Sequence, residues 1–127
     1  MMKKIIEMQE KIDSEYYGRN KSIFIVDDDY SMRDMLETYF QFMGFFVRTY
    51  RNFAEFEKEI SEFDRYPDVF VFDNNTGETL KGLEMQKKYP NSVVFSGDFD
   101  IEETESVVKK PDISNLEDAI KRILFGK

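Results

Sequence analysis

The chain has 127 residues and carries 26 acidic against 18 basic side chains, a formal charge of −8 at neutral pH. This length supports one small hydrophobic core, and the negative charge argues against direct binding of nucleic acid or of a membrane surface. Cysteine and histidine are both absent, which excludes disulfides, thiol nucleophiles and imidazole chemistry from the chain itself. No apolar run is long enough for a membrane span or a signal peptide, so we expect a cytoplasmic protein.

The first 20 residues precede the regular pattern of the rest, and they are predicted to form a helical extension. One face of this helix is apolar at three- and four-residue spacing: Ile5, Met8, Ile12 and Tyr16. Two interpretations stay open at this point. The helix packs on its own domain, or it takes part in self-association, such as a homodimer, or in docking to a partner. Two heptads are too few to predict a coiled coil.

From residue 21 to residue 127, short apolar runs alternate with helix-like segments, which predicts a single α/β domain. Most of these runs lack a polar alternation, as expected for parallel strands that helices cover on both faces. The predicted strands are 23–26, 45–47, 69–72, 93–95 and a weak fifth run at Val107 and Val108.

Apolar residues at helical spacing predict four helices between and after these strands. The predicted helices are 32–43 followed by Gly44, 53–60 capped by Asn52, 80–89, and 116–125 capped by Ser114. Asp29 is most simply the N-cap of the first of them. Five strands alternating with helices predict a doubly wound parallel sheet with helices on both faces.

Polar side chains follow four of the five predicted strands: Asp27 and Asp28, Asp73, Ser96, and Lys110. In a doubly wound sheet, ligands bind beyond the carboxyl ends of the strands, where the strand order reverses. Carboxylate oxygens without nitrogen or sulfur ligands suit magnesium, which is often bound together with phosphate oxygens. Each residue alone also has an ordinary explanation as a cap, turn or loop residue. Together they predict a site for magnesium and a phosphoryl group.

Four segments resemble the receiver domain of two-component response regulators: IFIVDDDYSMRDMLETYFQFMGFFV, PDVFVFDNN, VVFSGD and VVKKPDISNLEDAI. The resemblance covers about residues 21–126. It implies a flavodoxin-like fold of five parallel strands in the order 2-1-3-4-5. It also implies a magnesium ion bound by Asp27, Asp28, Asp73 and the backbone carbonyl of Asn75.

The same resemblance implies that Asp73 accepts a phosphoryl group from a histidine kinase or a phosphotransfer protein. Ser96 would donate a hydrogen bond to a phosphoryl oxygen, and Lys110 would pair with the phosphoryl group ahead of a cis Lys-Pro bond. Lys109 is the alternative lysine, but Lys110 is preferred because it directly precedes Pro111. A domain of this kind signals to a downstream protein target and is not an enzyme in the usual sense.

Three features depart from the pattern of that family. Thr76 and Gly77 stand where a Met-Pro pair is usual, and Val107 stands where an aromatic switch residue is usual. Only ten residues, 97–106, connect the fourth and fifth predicted strands, and five of them are acidic. We therefore expect a short helix or an irregular loop in this connection.

Two other functions are considered. The first is a degenerate receiver that acts as a protein-interaction module without phosphorylation, against which the intact Asp28, Asp73 and Lys110 argue. The second is a phosphohydrolase similar to the haloacid dehalogenases, with Asp27 as the nucleophile and Asp29 as the acid/base. The chain is short for such an enzyme, because it has no room for a cap domain.

Overall fold

The computed structural model describes residues 2–98 and 100–126, without the side chains of residues 9–15. The elements in chain order are α1 (Met2–Glu15), β1 (Ser22–Val26), α2 (Tyr30–Phe42), β2 (Phe46–Tyr50), α3 (Phe53–Ile60), β3 (Val69–Phe72), α4 (Gly82–Lys88), β4 (Ser92–Ser96), β5 (Val107–Lys109) and α5 (Ile113–Phe125). Among the described residues, no helix is both long and apolar enough to cross a membrane.

The strands form one parallel sheet in the order β2-β1-β3-β4-β5. β1 lies inside the sheet, so that Ile23 pairs with Val47 on one side and with Val69 on the other. The strand order reverses at β1, which is the point where doubly wound sheets form a crevice. The predicted flavodoxin-like fold is confirmed.

Helices cover both faces of the sheet, as the continuous apolar strands predict. α2 and α5 pack on one face through Leu36, Phe40, Leu116 and Ile120. α3 and α4 pack on the other face, which is rich in aromatic rings: Phe24, Phe53, Phe56, Phe70, Phe72 and Tyr89. Many of these rings meet edge to face, the arrangement that aromatic quadrupoles favour.

Two local predictions at helix starts are confirmed, and one is wrong. Asp29 and Asn52 cap α2 and α3, because their side chains accept hydrogen bonds from first-turn N–H groups. The predicted cap at Ser114 is wrong, since α5 already begins at Ile113 and Asp112 accepts from the N–H of Asn115 at 3.0 Å. A carboxylate also interacts favourably with the positive end of the helix dipole.

The second strand is longer than the sequence suggests. β2 includes Arg48, Thr49 and Tyr50, whereas the apolar run alone predicted an end at Val47. Because β2 lies at the edge of the sheet, its polar side chains can contact water while its backbone keeps the hydrogen bonds to β1. The apolar pattern therefore stops before the strand does.

The connection 97–106 forms no helix among its described residues. Thr104 instead makes an antiparallel bridge to Val107, beside the start of β5. Ile101, the only aliphatic residue of the connection, is buried with Val94 and Val107. The irregular loop was one of the two expected outcomes, and the buried Ile101 side chain packs it on the sheet.

The N-terminal helix α1 does not bury its apolar side chains within residues 2–8. Ile5 is 59% exposed and Met8 is 64% exposed, which does not fit a helix that packs on its own domain through these residues. Ile12 lies outside the described side chains, and Tyr16 lies past the helix end with its ring 6.4 Å from that of Phe42. Self-association or docking through α1 stays a prediction.

The segment after α1 is part of the packed core. Tyr17 is 5% exposed, and its ring meets Phe45 edge to face at 5.6 Å between centroids. Its hydroxyl donates a 2.8 Å hydrogen bond to Glu117 Oε2 on α5. Gly18 lies so close to the Phe45 ring that a Cβ atom would stand 2.1 Å from it. Tyr17 and Gly18 therefore belong to the core although they precede residue 21.

Candidate functional site

Asp27 follows β1 directly and is almost fully buried, at 2% exposure. Its Oδ1 accepts a 2.9 Å hydrogen bond from the N–H of Asp29, and its Oδ2 accepts a 2.7 Å bond from Lys110 Nζ. The guanidinium of Arg33 donates to its backbone carbonyl at 2.8 Å. Two hydrogen bonds thus hold the Asp27 carboxylate, and a third holds its backbone, at the end of β1.

Asp73 follows β3 and stands beside Asp27, because its N–H continues the ladder to the carbonyl of Val26 at 2.8 Å. Its Oδ1 lies 3.3 Å from Lys110 Nζ. One carboxylate oxygen each from Asp27, Asp28 and Asp73 lie within 4.8 Å of one another. The structure therefore brings together three carboxylates and one ammonium group that follow three different strands in sequence.

Lys110, and not Lys109, reaches these carboxylates. The N–H of Lys110 bonds to the carbonyl of Ser96 at 2.8 Å, which extends the pairing of β5 with β4, and the peptide bond to Pro111 is cis. Lys109 Nζ instead donates to the backbone carbonyl of Asp98 at 2.6 Å. Successive residues of a strand point to opposite faces, so only one of the two lysines can face the carboxylates.

Burial and charge shift the pKa values of these groups in a consistent way. Burial is the main cause that raises the pKa of the Asp73 carboxyl, and the nearby Asp27 carboxylate raises it further, while Lys110 opposes both. Burial alone would lower the pKa of Lys110, but the Asp27 and Asp73 carboxylates raise it. Without a cation, the negative charge on Asp73 is therefore unfavourable in the folded protein.

The donor set fits magnesium. All three side chains offer hard carboxylate oxygens, and Asp28 is exposed, so that bound water can complete a metal shell. Oxygens bound to one magnesium ion at about 2.1 Å are at most about 4.2 Å apart, so small side-chain rotations would close the present separation. A divalent cation would also offset the repulsion between the carboxylates.

Removal of the Asp73 charge is expected to stabilise the metal-free protein. Asp73→Asn should raise the free energy of unfolding in EDTA at pH 7 by about 1–2 kcal/mol, since each unit of a raised pKa corresponds to about 1.4 kcal/mol. The folded state holds the Asp73 proton more tightly than the unfolded state does. The contribution of Asp73 to wild-type stability therefore falls as the pH rises from about 4 towards neutrality, and the advantage of the variant should vanish below about pH 4.

Urea unfolding between pH 3.5 and pH 8 measures this difference. Asp118→Asn on α5 is the control, because it removes one exposed carboxylate that is not a member of the cluster. A stability gain of Asp73→Asn that does not change with pH would contradict the electrostatic explanation.

Ser96 and the loop after Asp73 meet through Asp98. The Ser96 hydroxyl oxygen is buried at the end of β4 and accepts a 3.0 Å bond from the N–H of Asp98. The Asp98 carboxylate in turn accepts a 2.9 Å bond from Asn74 Nδ2. Asn74 also accepts from the N–H of Leu83 at 3.1 Å. These bonds fix the two loops that flank Asp73.

Asn75 is exposed two residues after Asp73. Its side-chain oxygen accepts from the N–H of Gly77 at 3.1 Å and from Lys81 Nζ at 3.2 Å. Gly77 has φ +82°, a left-handed conformation that glycine adopts without strain. The role of the Asn75 backbone carbonyl as a metal ligand stays a prediction.

Sequence analysis did not single out Glu78. Its carboxylate accepts from the N–H groups of Phe53 at 2.7 Å and Ala54 at 3.1 Å, and from the Thr76 hydroxyl. The charge-assisted bonds lower the pKa of Glu78 in spite of an opposing effect of burial. No local pattern could have found this residue, because its backbone partners lie 24 and 25 residues away in sequence.

No protein-family model matches the sequence, and no curated protein matches it. Solved structures do. A response regulator receiver domain protein from Clostridium thermocellum has a TM-score of 0.68 and 19% identity over 82% of this chain and 94% of its own. This chain has the fold of a response regulator receiver domain.

Two further structures agree. The response regulator TrrA from Thermotoga maritima, solved in complex with Mg2+ and BeF, has a TM-score of 0.63 and 23% identity over 82% of this chain and 99% of its own. The response regulator StyR has a TM-score of 0.65 and 24% identity over 81% of this chain. This chain spans 58% of the StyR chain.

Proposed function

We propose that this protein is a phosphoacceptor domain of a two-component phosphorelay, and that Asp73 receives the phosphoryl group in the presence of magnesium. One observation carries the proposal. The Asp73 carboxylate lies 3.3 Å from Lys110 Nζ, and one of its oxygens lies within 4.8 Å of carboxylate oxygens of Asp27 and Asp28, close enough for one metal ion. A receiver-like fold and an oxygen-only donor set both support it.

In the proposed reaction, an Asp73 carboxylate oxygen attacks the phosphorus of a phosphohistidine on a kinase or phosphotransfer protein. The new O–P bond forms as the N–P bond breaks, and the imidazole nitrogen keeps the electron pair of that bond. Lys110 pairs with the phosphoryl oxygens, and the Ser96 hydroxyl donates a hydrogen bond to one of them. Magnesium bound by Asp27, Asp28, Asp73 and the Asn75 carbonyl would offset charge on the transferring group.

The protein would then act in the cytoplasm as a signalling component, with at most self-catalysed phosphorylation and dephosphorylation. The phosphohydrolase alternative would require Asp29 as an acid/base. The Asp29 carboxylate instead accepts hydrogen bonds from the N–H groups of Ser31 and Met32 as the cap of α2. This contact favours the proposal over the phosphohydrolase. If the protein is instead an interaction module, it has the same fold but does not accept a phosphoryl group.

Intact mass spectrometry after incubation with acetyl phosphate tests the proposal. We expect one added phosphoryl group in the presence of magnesium and none in EDTA, and Asp73→Asn should abolish the addition because an amide is not a nucleophile here. Peptide mapping should place the modification on Asp73. A modified Asp27 instead would support the phosphohydrolase. An unmodified protein in the presence of magnesium would support the interaction module.

A further inference from the structure

Glu78 joins two parts of the fold that are not neighbours in sequence. It lies in the loop 73–81 between β3 and α4, and its two carboxylate oxygens accept separately from Phe53 and Ala54 at the start of α3. The first N–H groups of a helix have no acceptor within the helix. A loop side chain therefore supplies two of the bonds that α3 needs, while Asn52 supplies a third to Glu55.

The short chain between Asp73 and Glu78 is fixed at both ends. The N–H of Asp73 is held by the ladder to β1, and Glu78 is held by α3. Within this span, Thr76 is buried and its hydroxyl donates to Glu78, while Gly77 makes the turn with φ +82°. With both ends fixed, these four intervening residues have few conformations left.

We propose that Glu78 is a positioning residue for the phosphoacceptor site. By tying the loop to α3, it holds the Asn75 backbone and the Asp73 carboxylate in the arrangement that can share one magnesium ion. It acts through the loop and binds neither the metal nor the phosphoryl group. This inference rests on the proposed function. It adds that magnesium affinity depends on a contact with α3, on the side of the sheet that faces away from α5.

The same contacts would also exist if Glu78 were only a helix cap, so the test must separate the two roles. Asn52→Ala is the matched control, because it removes a 2.9 Å capping bond from the same end of the same helix. The Asn52 bond goes to Glu55 and leaves the loop tether in place. Glu78→Ala removes both the cap and the tether. Glu78→Gln keeps the shape but only one uncharged accepting oxygen, so it can accept from one of the two α3 N–H groups and not from both.

Isothermal titration with magnesium chloride and amide hydrogen exchange in EDTA provide two independent readouts on the full chain. We expect Glu78→Ala to weaken magnesium binding about tenfold or more, as loss of a residue that orients metal ligands typically does. Asn52→Ala should stay within about twofold of wild type, and Glu78→Gln should fall between. Exchange of residues 74–78 should accelerate in Glu78→Ala but not in Asn52→Ala.

The outcomes distinguish the two proposals. If wild type binds magnesium and Glu78→Ala binds it equally well, or if Asn52→Ala weakens binding as much, Glu78 is a helix cap and the positioning role is overturned. If wild type itself binds no magnesium, the proposed function fails. In that case the exchange data still decide whether Glu78 holds the loop, because they need no metal, and unchanged exchange in Glu78→Ala would overturn the tether as well.

Discussion

Saturating magnesium is expected to raise the free energy of unfolding by about 2.7 kcal/mol when its concentration is one hundred times its dissociation constant. For a domain of this size the change corresponds to roughly 10 °C in the thermal midpoint. The physical reason is that Asp27, Asp28 and Asp73 lie within 4.8 Å of one another, with one ammonium group to offset them. Folding assembles these charges, so a cation that binds the assembled cluster favours the folded state.

Asp28→Ala should remove most of this gain, because it deletes the exposed carboxylate of the cluster without opening a cavity. Asp29→Asn is the matched control. It removes one negative charge from the next residue, and asparagine caps helices as well as aspartate does, so α2 should keep its start. Scanning calorimetry with and without magnesium at constant ionic strength measures both variants. A wild-type midpoint that does not respond to magnesium, or an equal response in Asp28→Ala, would contradict the metal site.

Deletion of residues 1–20 is expected to destabilise the protein by about 3–5 kcal/mol, whereas deletion of residues 1–8 should cost less than about 1 kcal/mol. The large cost of the longer deletion is expected from Tyr17. The longer deletion removes a ring that is 5% exposed and packs against Phe45, together with its hydrogen bond to Glu117. The described side chains of residues 2–8 are exposed, so their loss removes little buried area.

Two variants of the full chain separate the contributions of Tyr17. Tyr17→Ala should reproduce most of the cost of the longer deletion, because it leaves a cavity beside Phe45. Tyr17→Phe keeps the ring and should cost about 1 kcal/mol for the lost bond to Glu117. Denaturant unfolding measures all four proteins. Equal stability of the two deletions would show that Tyr17 contributes nothing to the core.

Patterns that are local in sequence predicted the sheet and the position of its polar ends. The strand β3 at Val69–Phe72 coincides with its apolar run, because all four of its residues are buried. A buried strand must be apolar on both faces, so its bounds can be read without the structure. The carboxyl ends of parallel strands share one edge, which is why Asp27, Asp73 and Lys110 were grouped correctly in space.

Features that depend on tertiary contacts could not be predicted in this way. Asp112 and Ser114 are both residue types that cap helices, and the sequence does not decide between them, whereas in the structure Asp112 caps α5. Tyr17 carries no sign that it is buried, since its partners Phe45 and Glu117 are far along the chain. The role of Glu78 could not be predicted for the same reason, because its partners are the N–H groups at the start of α3, which is distant in sequence.

The connection 97–106 concentrates negative charge at this edge of the sheet. Five of its ten residues are acidic, and one of them, Asp98, accepts a hydrogen bond from Asn74, the residue after Asp73. We expect this charge to repel free anionic phosphate compounds, so that their encounter rate is low at low ionic strength and rises as salt shortens the Debye length to about 8 Å at 0.15 M. A protein surface rich in lysine and arginine should be attracted by the same negative charge. We therefore expect the loop to favour basic protein surfaces over small anions through the rate of encounter, without any contact to the reacting atoms.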